Sequence, residues 1–266
     1  MRIRFNVRRR SIARMSDLVL RLLGWPSLLI HGDPLVLDRW LWVRRYLRRP
    51  GARTLDAGCG NGGFSVYAAR AGDEVVAASF SERELQAARR RATILGIGGI
   101  DFRILDLRNL DDHLDELGRF DQIICLETIE HLSDDVKLVK GLAQMLEPGG
   151  QLLLTTPSDR HVALFREEQH PSQVEDGSHV RYGYSRERLR SILGEGGLEV
   201  CDEGFVSGFV SQKLTNLMWR LTERVGLPLA WLILLPLRAL VILDKPLTCL
   251  LDYPYLCLTM RAIKPA

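Results

Sequence analysis

The sequence predicts an α/β protein whose core is a parallel sheet with helices on both faces. Three observations carry that prediction. Between residues 54 and 156, strand-like apolar runs alternate five times with segments of helical periodicity, the rhythm of parallel strands joined by crossover helices. The first unit holds Thr54 to Ser65, TLDAGCGNGGFS, where an apolar lead-in ends on Asp56 and gives way to glycines at 58, 60, 62 and 63. That is a strand, a tight turn and a helix start. The run from Phe120 to Leu126, FDQIICL, is almost continuously apolar, as a strand covered on both faces should be.

Taken in order, the first fifteen residues hold six arginines and no acid, a basic arm suited to an anionic surface or to plain solvation. Ser16 and Asp17 open a short apolar helix that stops near Gly24-Trp25-Pro26. The patch from Leu18 to Ile30 is broken by Arg21 and Pro26 and has no small-residue cleavage site, so no secretory signal is expected. From Leu35 to Leu47, Val36, Trp40, Val43 and Leu47 recur at helical spacing, which assigns Asp38, Arg39, Arg44 and Arg45 to the opposite face.

After the glycine turn, Phe64 to Arg70 continues as a helix and Glu74 to Ala78 forms the second strand. Ser81 with Glu84 makes a capping box for a helix through Leu95. Phe102 to Leu105 is a third strand closing on Asp106, and Phe120 to Leu126 a fourth. A helix from Ser133 to Leu146 is stopped by Pro148-Gly149-Gly150, and Gln151 to Thr156 is the fifth strand.

Residues 157–183 read as a long polar loop with His161, His170 and His179, of the length that functional lids have. Ser185 opens another helix, Leu198 to Val206 reads as a sixth strand and Tyr253 to Ile263 as a seventh. Between them lies an apolar insertion with LPLAWLILLPLRALVIL, Leu227 to Leu243, at its centre. Seventeen residues with two prolines and Arg238 make a poor membrane span. A buried helix, a dimer contact or a shallow hairpin lying in a bilayer interface remain as readings, the last working together with the basic arm.

The glycine stretch has two readings. As Gly58-x-Gly60-x-x-Gly63 it satisfies a dinucleotide fingerprint; as Asp56-x-Gly58-x-Gly60-x-Gly62 it suits a cationic, phosphate-free ligand, because Asp56 would repel a pyrophosphate. The dinucleotide reading also lacks an acid at the end of the second strand, where Ser79 stands. The five cysteines form no C-x-x-C pair, which fits a reducing, cytoplasmic setting.

Together TLDAGCGNGG, the acid-ended third strand, FDQIICLETIEHLSDD, LAQMLEPGGQLLLTTPS and GSHVRYGYSRERLRSILGEGGLEV resemble the class I S-adenosylmethionine (SAM) dependent methyltransferases. The likeness is to the branch containing the ubiquinone-biosynthesis O-methyltransferases, over about residues 50–205. It implies a Rossmann-like, doubly wound sheet of seven strands with the last antiparallel. N-terminal helices would precede it and an apolar helical insertion would stand before the last strand. The expected division is 1–49 arm and cap helices, 50–206 SAM-binding core, 207–252 insertion and 253–266 final strand.

The resemblance assigns roles. Asp56 and the backbone of Gly58, Cys59, Gly60 and Gly62 would hold the methionine end of SAM. Asp106 would accept from the adenine amino group, with Leu107 against the ring. Leu126 and Glu127 would face the methionine moiety and the transferring methyl. Ser79 replaces the usual ribose-binding acid, and a neutral bond worth ~1 kcal/mol against roughly 1.5–3 for a charged one implies modest SAM affinity.

His131 is the candidate base, and Glu127, Glu130 and His131 would take a divalent cation only in a metal-assisted mechanism. The expected acceptor is small or lipid-like, methylated on oxygen, with contact to the inner face of a membrane. Alternatives are methylation of a lipid carbon, or a membrane-attached scaffold without turnover. Nucleic acid is not an expected partner, since the basic arm lacks interleaved aromatics and no N/D-P-P-Y motif follows the fourth strand.

Overall fold

The computed structural model describes residues 17–30, 34–47, 50–162, 171–175 and 177–266. The Arg-rich run of residues 1–15 and His170 lie outside the described residues. Helices α1 (17–23), α2 (Pro26–Ile30) and α3 (Pro34–Tyr46) come first. Five units follow: β1 (Arg53–Ala57), α4 (Gly63–Arg70), β2 (Glu74–Ser79), α5 (Glu82–Leu95), β3 (Ile100–Ile104), α6 (Leu114–Leu117), β4 (Phe120–Leu126), α7 (Asp135–Met145) and β5 (Leu146–Pro157). After the loop come α8 (Arg186–Glu195), β6 (Glu199–Val206), α9 (Phe209–Val225), α10 (Leu227–Leu234), a 3-10 segment Pro236–Leu243, α11 (Asp244–Leu250) and β7 (Cys257–Ile263).

The strands form one sheet of order β3-β2-β1-β4-β5-β7-β6, in which β7 runs antiparallel to both neighbours. The chain leaves β1 toward β2 on one side and returns to β4 on the other, so the carboxyl ends of β1 and β4 flank a topological switch point, where open α/β sheets bind ligands. Val76, Ala78, Ile123, Cys125, Leu152, Leu154, Leu258 and Met260 of the strands, with Leu105 just past β3, pack with Leu138, Leu142, Leu189 and Ile192 of α7 and α8 in the main core.

Polar residues inside these apolar strands are paired across the sheet. Thr54 Oγ1 donates to Asp73 (2.8 Å), Gln122 Nε2 donates to both Thr54 and Asp73, and Gln151 Nε2 donates to Gln122 Oε1 (3.1 Å). Arg261 Nε on β7 completes the row at Gln151 Oε1 (2.8 Å). The side-chain row coincides with the backbone pairing of Thr54 with Gln122 and of Gln122 with Gln151. A one-residue slip would break it, so it helps specify register.

Three expectations need correction. Helix α7 ends at Met145 because Leu146 already pairs with Phe120, and Pro148-Gly149-Gly150 sits inside an irregular start of β5, where Gly149 takes φ +72°. Strand β7 begins at Cys257 rather than Tyr253, whose N–H is still bonded to Thr248 O at the end of α11. In α3 the buried residues are Pro34, Leu35, Asp38, Trp42 and Val43, so Asp38 and Arg39 turn inward, not to solvent. Each has a polar reason: Arg39 pairs with Glu127, and Asp38 lies beside Ser207 and Ser211.

Helix α9 packs against α3, and α10 and α11 pack on α9. The Asp244 carboxylate accepts from the N–H groups of Gly208 (2.7 Å) and Ser211 (2.9 Å), capping α9 from a segment over thirty residues away. Among the described residues no helix is long and apolar enough to cross a membrane.

Burial above all, and then the nearby Asp244 carboxylate, raises the Asp38 pKa to about 7 against the opposing Ser211 and Ser207 hydroxyls. An unfolded Asp titrates near ~3.9, so between there and about 7 the folded chain keeps a proton that the unfolded chain has released. Stability therefore falls as pH rises through that window. Asp38→Asn is expected to flatten this decline in melting temperature and to raise the melting temperature above the window, as read by thermal unfolding over a pH series.

Candidate active site

The turn after β1 is built by backbone geometry that side chains resist. Gly58, Gly60 and Gly62 take φ of +84°, +49° and +75°. At Gly58 an added Cβ would stand 2.4 Å from Thr128 Oγ1, whereas at Gly60 it would meet nothing within 4 Å. Gly58 thus lets the turns after β1 and β4 approach each other, and Gly60 leaves its side open. The N–H groups of Gly58 and Cys59 both donate to Ala78 O (3.0 and 2.8 Å). These two N–H groups are therefore engaged with β2.

Asp56 lies beneath the turn, not on the cavity wall. Its buried carboxylate accepts from Ser65 Oγ (2.5 Å) and so ties the end of β1 to α4. Burial lifts its pKa to about 6, opposed by the Ser65 hydroxyl and N–H.

The turn faces a cavity of about 330 Å³, within the usual range for small-molecule sites. Of the residues expected around SAM, Gly58, Gly60, Ser79, Asp106, Leu107 and Glu127 line it. Cys59 is buried with Ala77 and Leu85, and Leu126 packs toward Trp42, Val43 and Leu153.

One end of the cavity is walled by Ser79, Phe80, Glu84, Asp106 and Leu107. Asp106 accepts from the Arg108 N–H and is chelated by its guanidinium, which holds the carboxyl below its ordinary range. Arg108 reaches on to Glu175 (3.2 Å), whose other oxygen accepts from the Ser133 N–H, so the loop segment 171–175 is strapped over this end. Glu84 gives only half of the expected capping box. Its N–H donates to Ser81 Oγ, but its carboxylate accepts from Ser79 Oγ (2.9 Å) at the cavity wall.

The other end is set by Glu127, which follows β4 with φ +48°, a conformation rare for a side-chain-bearing residue. Three elements hold its carboxylate: Arg39 of α3 ion-pairs with it (3.2 Å), Thr155 Oγ1 of β5 donates to it (2.7 Å) and Cys257 Sγ of β7 donates at 3.4 Å. Burial keeps the Cys257 thiol far above its usual pKa, hence a donor.

Next to it, Glu130, His131 and His179 bring ligand atoms within 4.8 Å of one another. Glu130 is fully buried, and that burial, followed by the charge of Glu127, raises its pKa well above the carboxylate range. Thr156 Oγ1 donates to one of its oxygens (3.1 Å), while the other oxygen and His131 Nδ1 are buried without a hydrogen-bond partner. His179 stands edge-on to His131, ring centroids 4.7 Å apart, its pKa lowered by burial and then by His131. The donor set fits a divalent cation, with His179 in the trio in place of the expected Glu127. His161 is not part of it: its Nδ1 is bonded to Ser158 O and its ring stacks on Tyr182.

Sequence reasoning missed Phe80, Glu84, Thr128, Glu175 and Arg39. Phe80 adjoins the end of β2 and Thr128 lies two residues past β4, so both could have been found by position. The others come from a helix face, a cap and a loop that carry no motif.

The left-handed glycine turn at the switch-point crevice, with Glu127 past the end of β4, is the arrangement that the resemblance to class I SAM-dependent methyltransferases implies. The chain belongs to the methyltransferase-domain family, whose model matches residues 8–203. It is 34% identical over 115 residues to the ubiquinone biosynthesis O-methyltransferase of Xanthomonas axonopodis pv. citri (strain 306), covering 43% of this chain and 47% of that one. Against the enzyme of the same name from Xanthomonas campestris pv. campestris (strain B100) it is 33% identical over 132 residues, 49% and 53% of the two chains. The chain thus spans about half the length of the curated relatives it matches.

Among solved structures it is similar to magnesium protoporphyrin IX methyltransferase from Synechocystis PCC 6803 with bound SAH (18% identity, 95% and 99% coverage, TM-score 0.54). It is also similar to geranyl diphosphate C-methyltransferase from Streptomyces coelicolor A3(2) (17% identity, 84% and 77%, TM-score 0.55). At these identities the likeness is one of fold.

Gly58→Ala should weaken SAM binding by at least about tenfold in titration calorimetry, since it forces Thr128 away at a φ that disfavours Cβ. Gly60→Ala, which meets no neighbour, should cost markedly less.

Proposed function

We propose that this methyltransferase transfers the SAM methyl to an oxygen of a small, lipophilic acceptor. The observation that carries the reading is His131, which lines the cavity, stands beside Glu130 and His179, and has an Nδ1 without a hydrogen-bond partner. The curated relatives, named as O-methyltransferases, support the same choice of atom.

Adenine would lie against Leu107 and Phe80, with its amino group donating to the remaining lone pairs of Asp106. The ribose would meet Ser79 and Glu84, so the carboxylate absent from the end of β2 is supplied from the first turn of α5. The methionine ammonium would meet Glu127 and the carbonyls of the glycine turn. The methyl then points toward His131. As the acceptor oxygen bonds to the methyl carbon, the carbon–sulfur bond breaks, its electrons stay on sulfur, and His131 takes the hydroxyl proton.

Burial, and then the charge of Glu127, raises the Glu130 pKa well above the carboxylate range. Glu130, His131 and His179 would hold a divalent cation, which would supply Lewis acidity to the acceptor hydroxyl in place of the His131 base.

Glu84→Gln should raise the dissociation constant for SAM roughly fivefold to tenfold, the difference between a charged and a neutral hydrogen bond, with the melting temperature little changed.

The acceptor reading is tested with methyl-labelled SAM and a lipid extract of the source cells, followed by phase partition. Label is expected in the organic phase, falling by about 10²–10⁴ in rate for His131→Ala while SAM affinity is retained. Label confined to the aqueous phase would overturn the lipophilic acceptor, and an undiminished His131→Ala rate would overturn the base.

A further inference from the structure

The segment after α9 is a helix turned inside out. From 229 to 251 the chain runs through α10, the 3-10 segment and α11 with little break, since Leu235 and Asp244 at the junctions both keep helical φ and ψ. Ala230 and the series Trp231, Leu234, Arg238, Val241, Asp244 and Thr248, whose members recur three or four residues apart, are buried. The inner face therefore contains both internal charges: Arg238, whose Nη2 approaches Met218 Sδ (3.6 Å), and Asp244, which caps α9.

The outward face is leucine and isoleucine, with Leu232, Leu240, Ile242 and Leu250 exposed, Ile242 to 82% and Leu250 to 79%. Lys245 is the sole exposed charged residue between 229 and 251. A surface helix normally turns its charges to water and its leucines to the core, so this reversal specifies an apolar medium on the outside.

We infer that this face lies in the interfacial layer of an anionic lipid bilayer. Charge selects lipid over a second copy of the chain. The cations bordering the face are Lys245 and, on α9, the exposed Arg220 and Arg224, against two exposed acids, Glu223 between the arginines and Asp252 past α11. A two-fold contact would set that rim against its own copy, whereas anionic headgroups complement it. Trp219, half exposed on α9 next to Arg220, supplies the amphipathic ring that favours the headgroup boundary. The six arginines among the first fifteen residues add a second attachment signal of the same sign. With both inner charges committed to the protein and, among the described residues, no helix long and apolar enough to span, the segment lies in the interface and does not cross it. The inference is independent of the methyl-acceptor reading, because vesicle binding is measured without turnover.

The test is flotation of the full chain with phosphatidylcholine vesicles containing phosphatidylglycerol and with phosphatidylcholine alone. The chain should float with the anionic vesicles and markedly less with the neutral ones. Leu232→Gln/Leu240→Gln/Ile242→Gln should weaken partition at least about tenfold, with SAM binding retained, because all three side chains are exposed. A wild-type chain that stays in the aqueous layer with both vesicle types overturns the inference. So does flotation that the triple variant leaves unchanged. A dimer in light scattering that the triple variant converts to monomer, without flotation of the wild type, assigns the face to a second copy instead. Should the variant fold poorly, tryptophan quenching by lipids brominated in the acyl chain decides on the wild-type sequence. Quenching that Trp219→Phe removes supports the interface, and no quenching overturns it.

Discussion

The Glu127 carboxylate is the point on which the separate parts of this molecule converge. It follows β4 in a strained backbone conformation and is gripped by Arg39 from the helices before the sheet, by Thr155 from the last parallel strand and by Cys257 from the antiparallel one. A half-buried acid is costly without partners, and these come from segments more than two hundred residues apart in sequence. The N-terminal helices are thereby fastened to the cavity electrostatically as well as by packing. The same charge, second to burial, helps to raise the pKa of its neighbour Glu130. Two acids three residues apart thus have different surroundings, one held by partners from three elements and the other buried beside two histidines.

Much of this fold was legible in the residues, for reasons that are local. The alternation of apolar runs with helical periodicity located β1 to β5, and the spacing of Gly58, Gly60 and Gly62 placed the turn, because positive φ is a property that glycine advertises. What could not be read is what depends on a partner distant in sequence. The inward face of α3 was misread because Asp38 and Arg39 look like solvent residues until Ser207, Ser211 and Glu127 are brought against them. Glu84 looked like a helix cap, and its bond to Ser79 appears only once β2 and α5 meet at the cavity wall. His179 lies in the stretch GSHVRYG but had no assigned role; it reaches His131 where the Val180 N–H is bonded to Glu130 O.

The departures from pattern compensate one another. Ser79 at the end of β2 is bonded to a carboxylate five residues on, and Thr54, Gln122, Gln151 and Arg261 bond one another across β1, β4, β5 and β7. Substitution at one such position without its partner leaves a buried polar group unsatisfied, which ordinarily costs more than the bond itself contributed.

The position of β7 also governs the order in which the molecule is completed. It lies between β5 and β6, yet it follows both in the chain and is separated from β6 by the whole helical insertion. Until residues 257–263 arrive, β5 presents an unpaired edge of Leu152, Leu153 and Leu154, and Glu127 lacks its cysteine donor. Closing the sheet demands a loop of about a hundred residues between paired strands, an ordering step that slows folding and prolongs exposure of a sticky edge. The final strand therefore acts as a keystone, and a nascent chain without it has the cofactor turn already encoded but no finished sheet to carry it.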